Sequence, residues 1–313
     1  MTPGKKYLNS EEIHQLAERS NLSGLLLLTH CWLVIISVLA IFSYWPSMLT
    51  FLIAITVIGS RQLGLAILMH EAAHNALFKT PKLNMLAGEW LCGRPILADL
   101  CDYRSYHLKH HRHTQTENDP DLKLSKPFPS TRRSLVRKFI RDITGQTGFK
   151  QRLQQIVFAF KLAGDVENAP TSQELAQAFS GGTLKKAFIA NTIVFLLMWA
   201  FGAWWWWLAF WMLPLLTWFQ FVLRVRNIAE HGAVQFSDDP FKNVRTTKAG
   251  PIGRLFFAPY WVNYHLEHHL VMHVPCRNLP KLHKLMLQKG FGEKMEIGQN
   301  YWSVLLRASS KPT

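Results

Sequence analysis

The chain has 313 residues, of which 49% are hydrophobic, with four cysteines and a formal net charge of +15. That length suits one large domain or two small ones, and the hydrophobic share alone does not separate a membrane protein from a soluble one. Cys31, Cys92, Cys101 and Cys276 form no Cys-x-x-Cys pair and do not suggest a disulfide framework, which fits a reducing compartment. The surplus of positive charge suits nucleic acid or a membrane surface, and its distribution decides between them.

The first 23 residues read as a short polar helix with Ser10 as N-cap before Glu11 and Glu12. Gly24 to Trp45 then contains no Lys, Arg, Asp or Glu. As a helix it is about 33 Å long, enough to cross a bilayer core. Its length and its pairing with a second apolar run favour a retained span over a cleaved signal peptide. That second run starts at Ser47, after Pro46, and predicts a span over 47–72. Arg61 interrupts it, and a charge inside a span marks a functional-site candidate. It pairs with an acidic group or a lipid headgroup, or else snorkels or packs at the edge of the polar insert 79–186.

The insert carries a helix expected from near Asp102 to the turn signal Asn118-Asp119-Pro120-Asp121. Ser130 to Ile143 reads as a basic amphipathic helix. Leu135, Val136, Phe139, Ile140 and Ile143 share one face, while Arg132, Arg133, Arg137, Lys138 and Arg141 line the other. Such a helix lies on an anionic bilayer surface or packs on the protein's own core. Gly145 and Gly148 are expected to separate it from a second amphipathic stretch, Phe149 to Leu162.

Ala187 to Leu223 is free of charge and too long for one straight span. It predicts two spans, 184–202 and 204–224, joined around Gly202 and Ala203. Trp204 to Trp207 in this turn mark the far membrane–water interface, where tryptophan is enriched. Three Lys/Arg residues precede the first span, 18 lie between Lys79 and Lys186, and 13 lie from Arg224 onward. The turns near Pro46 and Gly202 hold none. By the positive-inside rule both termini, the insert and the segment 225–313 are cytoplasmic, and the nucleic-acid reading falls away. The expected fold is an all-α, multi-pass integral membrane protein. Four transmembrane helices in two hairpins carry a cytoplasmic helical cap, all in one domain over 1–313.

Fourteen histidines are present, and eight form three clusters: His70-x-x-x-His74, His107-x-x-His110-His111 and His265-x-x-His268-His269. Neutral imidazole is the commonest metal ligand, and on a helix each cluster falls within an arc of about 100°. The topology brings all three to the cytoplasmic layer. Asn227 and His231, an i, i+4 pair just past the fourth span, can face the same site. Nine imidazoles suit two metal ions with four or five ligands each and positions left open for substrate or oxygen. Imidazole accepts Zn, Cu, Fe and Ni, but nine histidines without cysteine are not a structural zinc pattern, and two redox irons fit better. Carboxylates are expected to hold the other ring nitrogens. Asp99, Asp102, Glu117 and Asp119 are the candidates, since adjacency turns Glu71, Glu230 and Glu267 to another face. His113 and His273 read as structural or outer groups, and His14, His30 and His283 lie outside the set.

The three boxes around two membrane hairpins resemble the membrane fatty acid desaturase and hydroxylase superfamily, over residues 47 to 290. Asn263-Tyr-His-Leu-Glu-His-His-Leu270 with the following Val274-Pro-Cys-Arg-Asn-Leu-Pro280 carries the likeness furthest. The resemblance implies two Fe held by His70, His74, His107, His110, His111, His231, His265, His268 and His269, with Asn227 reaching a metal through water. It implies O₂ as co-substrate and a lipid or acyl chain in an apolar tunnel between the spans. The activity implied is insertion of a double bond into the acyl chain of a lipid or acyl thioester, with hydroxylation or ketolation of an apolar substrate as the alternative.

Three residues, not four, separate the histidines of the first box, which argues against a coenzyme A thioester. The third box begins with His265, where many members fused to a haem donor domain have glutamine. No His-Pro-Gly-Gly occurs, so the electron donor is a separate ferredoxin or cytochrome-b-type protein with its reductase. The bacterial-type short desaturases are the nearest likeness. His70-Glu71-x-x-His74 also matches the zinc metalloprotease motif with Glu71 as base, but that reading leaves both triplets unexplained. A metal transporter would need ligands inside the spans, where only His30 is mid-span.

Overall fold

The computed structural model describes residues 6–159 and 184–312. The end of the expected stretch Phe149–Leu162, from 160 onward, and the 160–183 part of the insert lie outside the described residues.

Helix α1 spans Ser10–Leu16, and its cap is Asn9 rather than Ser10. The Asn9 side chain accepts the Glu12 N–H at 2.8 Å while Glu12 accepts the Asn9 N–H at 2.9 Å. This reciprocal box leaves Ser10 as the first helical residue. Helices α2 (Asn21–Tyr44) and α3 (Met48–Ala73) form the first hairpin, capped by Ser20 and Ser47. On α2, Gly24, Leu28, Cys31, Ile35 and Val38 are buried at helical spacing, while Leu22, Leu25, Leu26, Leu33 and Ile36 are exposed on the face a bilayer would cover. The second half of α3 is the centre of the molecule, buried from Ile58 to Ala73 except for half-buried Ala66.

Of the readings open for Arg61, an acidic partner is not found among the described residues, and the side chain packs against the protein instead. Its Nη2 donates to Leu255 O at 2.6 Å, and its guanidinium lies 6.0 Å from the Tyr260 ring centre. A carbonyl and an aromatic face answer the charge because the C-terminal segment folds back against α3.

Helix α4 (Pro81–Leu86) runs into a π-helical turn, Ala87–Gly93, and a 3-10 turn, Arg94–Ile96. The π turn lies directly on α3, and a Cβ on Gly88 would collide with the Ala72 side chain. Helix α5 (Leu100–His113) carries the second box and is capped by Asp99, which accepts from the Cys101 N–H at 2.8 Å and the Asp102 N–H at 3.1 Å. After the short α6 (Leu122–Ser125) come α7 (Arg132–Ile143) and α8 (Gln146–Ala159). The α7 apolar face is divided: Leu135 is buried and Phe139 packs on Phe221 at 5.1 Å, whereas Val136, Ile140 and Ile143 are exposed. The break between the two helices is Gly145 alone, at φ +80°. Gly148 lies inside α8, where a Cβ would strike the Leu216 backbone, so it serves close packing and not the turn.

The second hairpin starts with α9 (Leu184–Phe201) and returns through a π-helical turn, Trp207–Met212, α10 (Leu213–Leu216) and α11 (Trp218–His231). Of the four tryptophans at its turn, Trp204 is exposed but Trp206 is buried against Phe210, so the row is not a uniform surface marker. The apolar stretch Trp207–His231 runs past the expected end at 224. Arg224 and Arg226 do not terminate it because Asp142 pairs with the first and Glu230 with the second. Asn227 and His231 therefore sit on the span's own last turns.

The remaining chain holds β1 (Thr246–Thr247), α12 (Pro251–Phe256), α13 (His265–Leu270), α14 (Leu279–Gln288), β2 (Ile297–Gly298) and α15 (Tyr301–Ala308). The strands pair in parallel, Thr246 with Ile297 and Thr247 with Gly298. Among the described residues this two-residue ladder is the extent of sheet, and four helices are long and apolar enough to cross a membrane.

Candidate metal centre

Four elements deliver the histidines: the end of α3 with its cap residue His74, then α5, α11 and α13. Their nine imidazoles gather into two nests, in each of which the nitrogen atoms lie within 4.8 Å of one another. The first nest holds His70, His74, His107, His111 and His268; the second holds His110, His231, His265 and His269. Boxes two and three each serve both nests. From α5, His107 and His111 turn to the first while His110 turns to the second; from α13, His268 turns to the first while His265 and His269 turn to the second. The nests touch through the stacked rings of His111 and His269, 4.1 Å apart.

The nitrogens converge on shared points. His111 Nε2 lies 2.9 Å from His107 Nε2 and 3.0 Å from His268 Nε2. His265 Nε2 lies 2.8 Å from His231 Nε2 and 3.2 Å from His269 Nε2. Neutral imidazoles that meet three at a point cannot all satisfy one another, since each carries a single N–H. In addition, His70 Nδ1 and Nε2, His74 Nε2 and His110 Nε2 are buried without a hydrogen-bond partner. Such a concentration of unanswered buried lone pairs is what metal ions satisfy. Burial, reinforced by neighbouring histidines, holds the pKa of His107, His111, His265, His268 and His269 well below the ordinary value. Burial, with the charges of His273 and Arg104, brings His74 down to about 3. These rings are neutral, as ligation requires. At His110 burial works downward too, but the hydrogen bond to Asp119 and the charges of Asp121 and Asp119 prevail and raise it.

Of the four carboxylates expected behind the rings, Asp119 is in place. Its Oδ1 lies 2.7 Å from His110 Nδ1, and its oxygens also accept the Gln115 and Asp121 N–H groups at 2.8 Å. That bond leaves Nε2 of His110 facing the nest. Asp99 instead caps α5 and pairs with Arg94, Asp102 is half-buried, and Glu117 is exposed. Glu267 does turn away, to Thr246 and His283. Glu71 accepts the Cys276 N–H at 2.8 Å, although its other oxygen stays 3.5 Å from His70 Nδ1. Glu230 departs from expectation: its Oε2 lies 3.3 Å from His265 Nε2. Adjacency to His231 keeps it off that ring but not off a ring on the crossing helix. His113 is half-buried and His273 exposed, and neither belongs to a nest.

A cavity of about 690 Å³ opens on the nests, its wall including His107, His110, His231 and His265. Leu63, Ala66, Ile67 and Met69 of α3 and Phe219 of α11 give it an apolar side, and Asn227 lies in the wall beside His231. The volume falls within the range of about 300–1,000 Å³ usual for small-molecule sites.

Two hairpins of apolar helices around nine clustered imidazoles define a histidine-box membrane protein. A family model described as fatty acid desaturase matches residues 22–299. The chain belongs to that family, and with it to membrane oxidoreductases of the desaturase and hydroxylase type. It is also similar to the dihydrorhizobitoxine desaturase of Bradyrhizobium elkanii, 27% identical over 246 residues that cover 75% of this chain and 67% of the relative.

Proposed function

We propose that each nest holds one iron ion and that the chain is an O₂-dependent desaturase acting on an acyl chain seated in the cavity. The observation that carries this reading is the pair of touching, imidazole-only nests at one end of an apolar-walled cavity. Two irons held by the nests, once reduced by a separate donor of ferredoxin or cytochrome-b type, would activate O₂, which is the oxidant that removes two hydrogens from unactivated methylenes and leaves as water. The protein's part is placement. The α3 and α11 side chains hold methylenes beside the nests, burial keeps bulk water out, and Asp119 fixes the His110 ring. Asn227, in the wall, is suited to reach a metal through water. The distribution of Lys and Arg supports a cytoplasmic site with both termini on the same side.

The name of the Bradyrhizobium relative favours desaturation over oxygen insertion, and the same site serves a hydroxylase. A zinc protease is disfavoured. Glu71 is engaged by the Cys276 N–H, and the rings of His107 and His268 approach His70 to 4.5 Å. Elemental analysis of the purified chain is expected to find about two irons per chain, one for each nest; stoichiometric zinc without iron overturns the reading. Lipid mass spectrometry of a host expressing the chain is expected to show an acyl species lighter by H₂, whereas a gain of one oxygen assigns hydroxylation. Replacing Asp119 with alanine is expected to lower iron affinity and turnover by about 10- to 100-fold, the usual result of removing a carboxylate behind a ligand histidine. Unchanged affinity removes Asp119 from the centre.

A further inference from the structure

Four helices outside the spans turn apolar side chains outward. Phe149 and Leu153 on α8, Val136 and Ile140 on α7, Trp302 on α15 and Ile252 on α12 are all exposed. The four helices join side by side. Helix α8 follows α7 directly after Gly145. The residue ahead of Thr131, the cap of α7, bonds to the end of α15: the Ser130 N–H donates to Ala308 O at 2.8 Å, and the Lys311 N–H to Ser130 O at 3.2 Å. Leu135 of α7 lies in one buried cluster with Val304 and Ala308 of α15. The ring of Phe257, the residue that ends α12, lies 5.4 Å from that of Tyr301, the first residue of α15.

The row is fastened to two spans. Phe139 of α7 packs on Phe221, Asp142 pairs with Arg224, and α12 is held to α3 by the bond from Arg61 to Leu255 O. These contacts fall in the half of each span that leads to the imidazoles, so the exposed side chains border the surface that the spans turn to lipid. The charges among them have one sign. Arg132, Arg133, Arg137, Arg141, Lys150 and Arg254 are exposed and have no ion-pair partner among the described residues. Arg307 of α15 is answered by Glu296. Asp142 is the one acidic residue in the four helical sequences, and it is buried against Arg224. Apolar exposure on this scale marks an interaction surface. An apolar face rimmed by arginine and lysine, with a tryptophan in it, has the pattern of helices lying in the headgroup layer of an anionic leaflet. Continuity with the lipid-facing sides of the spans favours that leaflet over a protein partner.

We propose that α8, α7, α15 and α12 form a collar that lies in the headgroup layer on the side of the imidazoles and binds anionic phospholipid through its unpaired basic side chains. The inference holds whatever reaction the nests perform. The test uses the full chain in nanodiscs made of phosphatidylcholine and phosphatidylglycerol in equal amounts. Cys101 is replaced by serine, the other cysteines being buried, and a fluorescent label is attached at Ile140→Cys on α7 or at Trp302→Cys on α15. Both labels are expected to be quenched by nitroxide carried on lipid and shielded from aqueous iodide. Spin-labelled phospholipids read the headgroup preference. Phosphatidylglycerol is expected to associate with the wild-type chain about fivefold more strongly than phosphatidylcholine, the effect of a single Lys or Arg near an anionic surface, and to lose that margin in high salt. The combined variant Arg132→Gln, Arg133→Gln and Arg137→Gln is expected to lose most of the preference, with phosphatidylcholine association unchanged as the sign of an intact fold. The corresponding lysine variant is expected to keep it. Iodide reaching either label overturns the proposal and leaves the face free for a protein partner. Equal association of the two lipids overturns it as well, and so does a preference that survives in the glutamine variant.

Discussion

Replacing His268 with alanine is expected to cost the chain one of its two irons and to abolish turnover while the protein still inserts and folds. The His268 ring lies 4.5 Å from that of His70 and 4.7 Å from that of His74, and its Nε2 is 3.0 Å from His111 Nε2. It is the single imidazole that α13 lends to the first nest, so its loss detaches that helix from the nest altogether. The second nest keeps His110, His231, His265 and His269, so iron there is retained. Turnover is expected to fall by more than about a thousandfold, since a metal centre contributes several kcal/mol to the transition state and about 1.4 kcal/mol is a factor of ten. His269→Ala is the mirror experiment, taking from the second nest and sparing the first. Iron per chain, measured beside product formation, decides the matter. A His268→Ala protein with full iron and full turnover would remove His268 from the first nest.

The two-nest division shows where sequence reading succeeds and where it stops. An uncharged run long enough to cross a bilayer finds α2, and i, i+3 and i, i+4 spacing finds every member of the histidine set, because both are local properties of a helix. Which histidine joins which nest depends on how α5 and α13 cross, and no spacing rule contains that. The same limit hid Glu230, which reaches a ring on a helix far along the chain. The fourth span overran its expected end because the cost of Arg224 and Arg226 is cancelled by Asp142 and Glu230, tertiary partners for the first and local for the second.

Replacing Arg94 with methionine is expected to destabilise the protein by about 3–5 kcal/mol, the range for removing one partner of a buried ion pair. Arg94 is 1% exposed, and its guanidinium bridges Glu89, at 2.6 Å, and Asp99. Methionine matches its bulk but leaves two buried carboxylates facing one another, with only the largely exposed Lys186, 3.5 Å from Glu89, to offset them. The damage reaches the metal centre by a short route. Asp99 caps α5, and Glu89 Oε2 accepts the Leu100 N–H at 3.1 Å, so both carboxylates hold the first turn of the helix that carries His107, His110 and His111. Unfolding in mixed micelles reads the stability, and iron affinity reads the transmitted effect. A triple variant, Arg94→Met with Glu89→Gln and Asp99→Asn, removes the stranded charges while asparagine keeps the cap. It is expected to recover most of the loss, because the penalty comes from uncompensated charge and not from the missing guanidinium itself. A triple variant as unstable as Arg94→Met alone would place the cost in packing and defeat the electrostatic account.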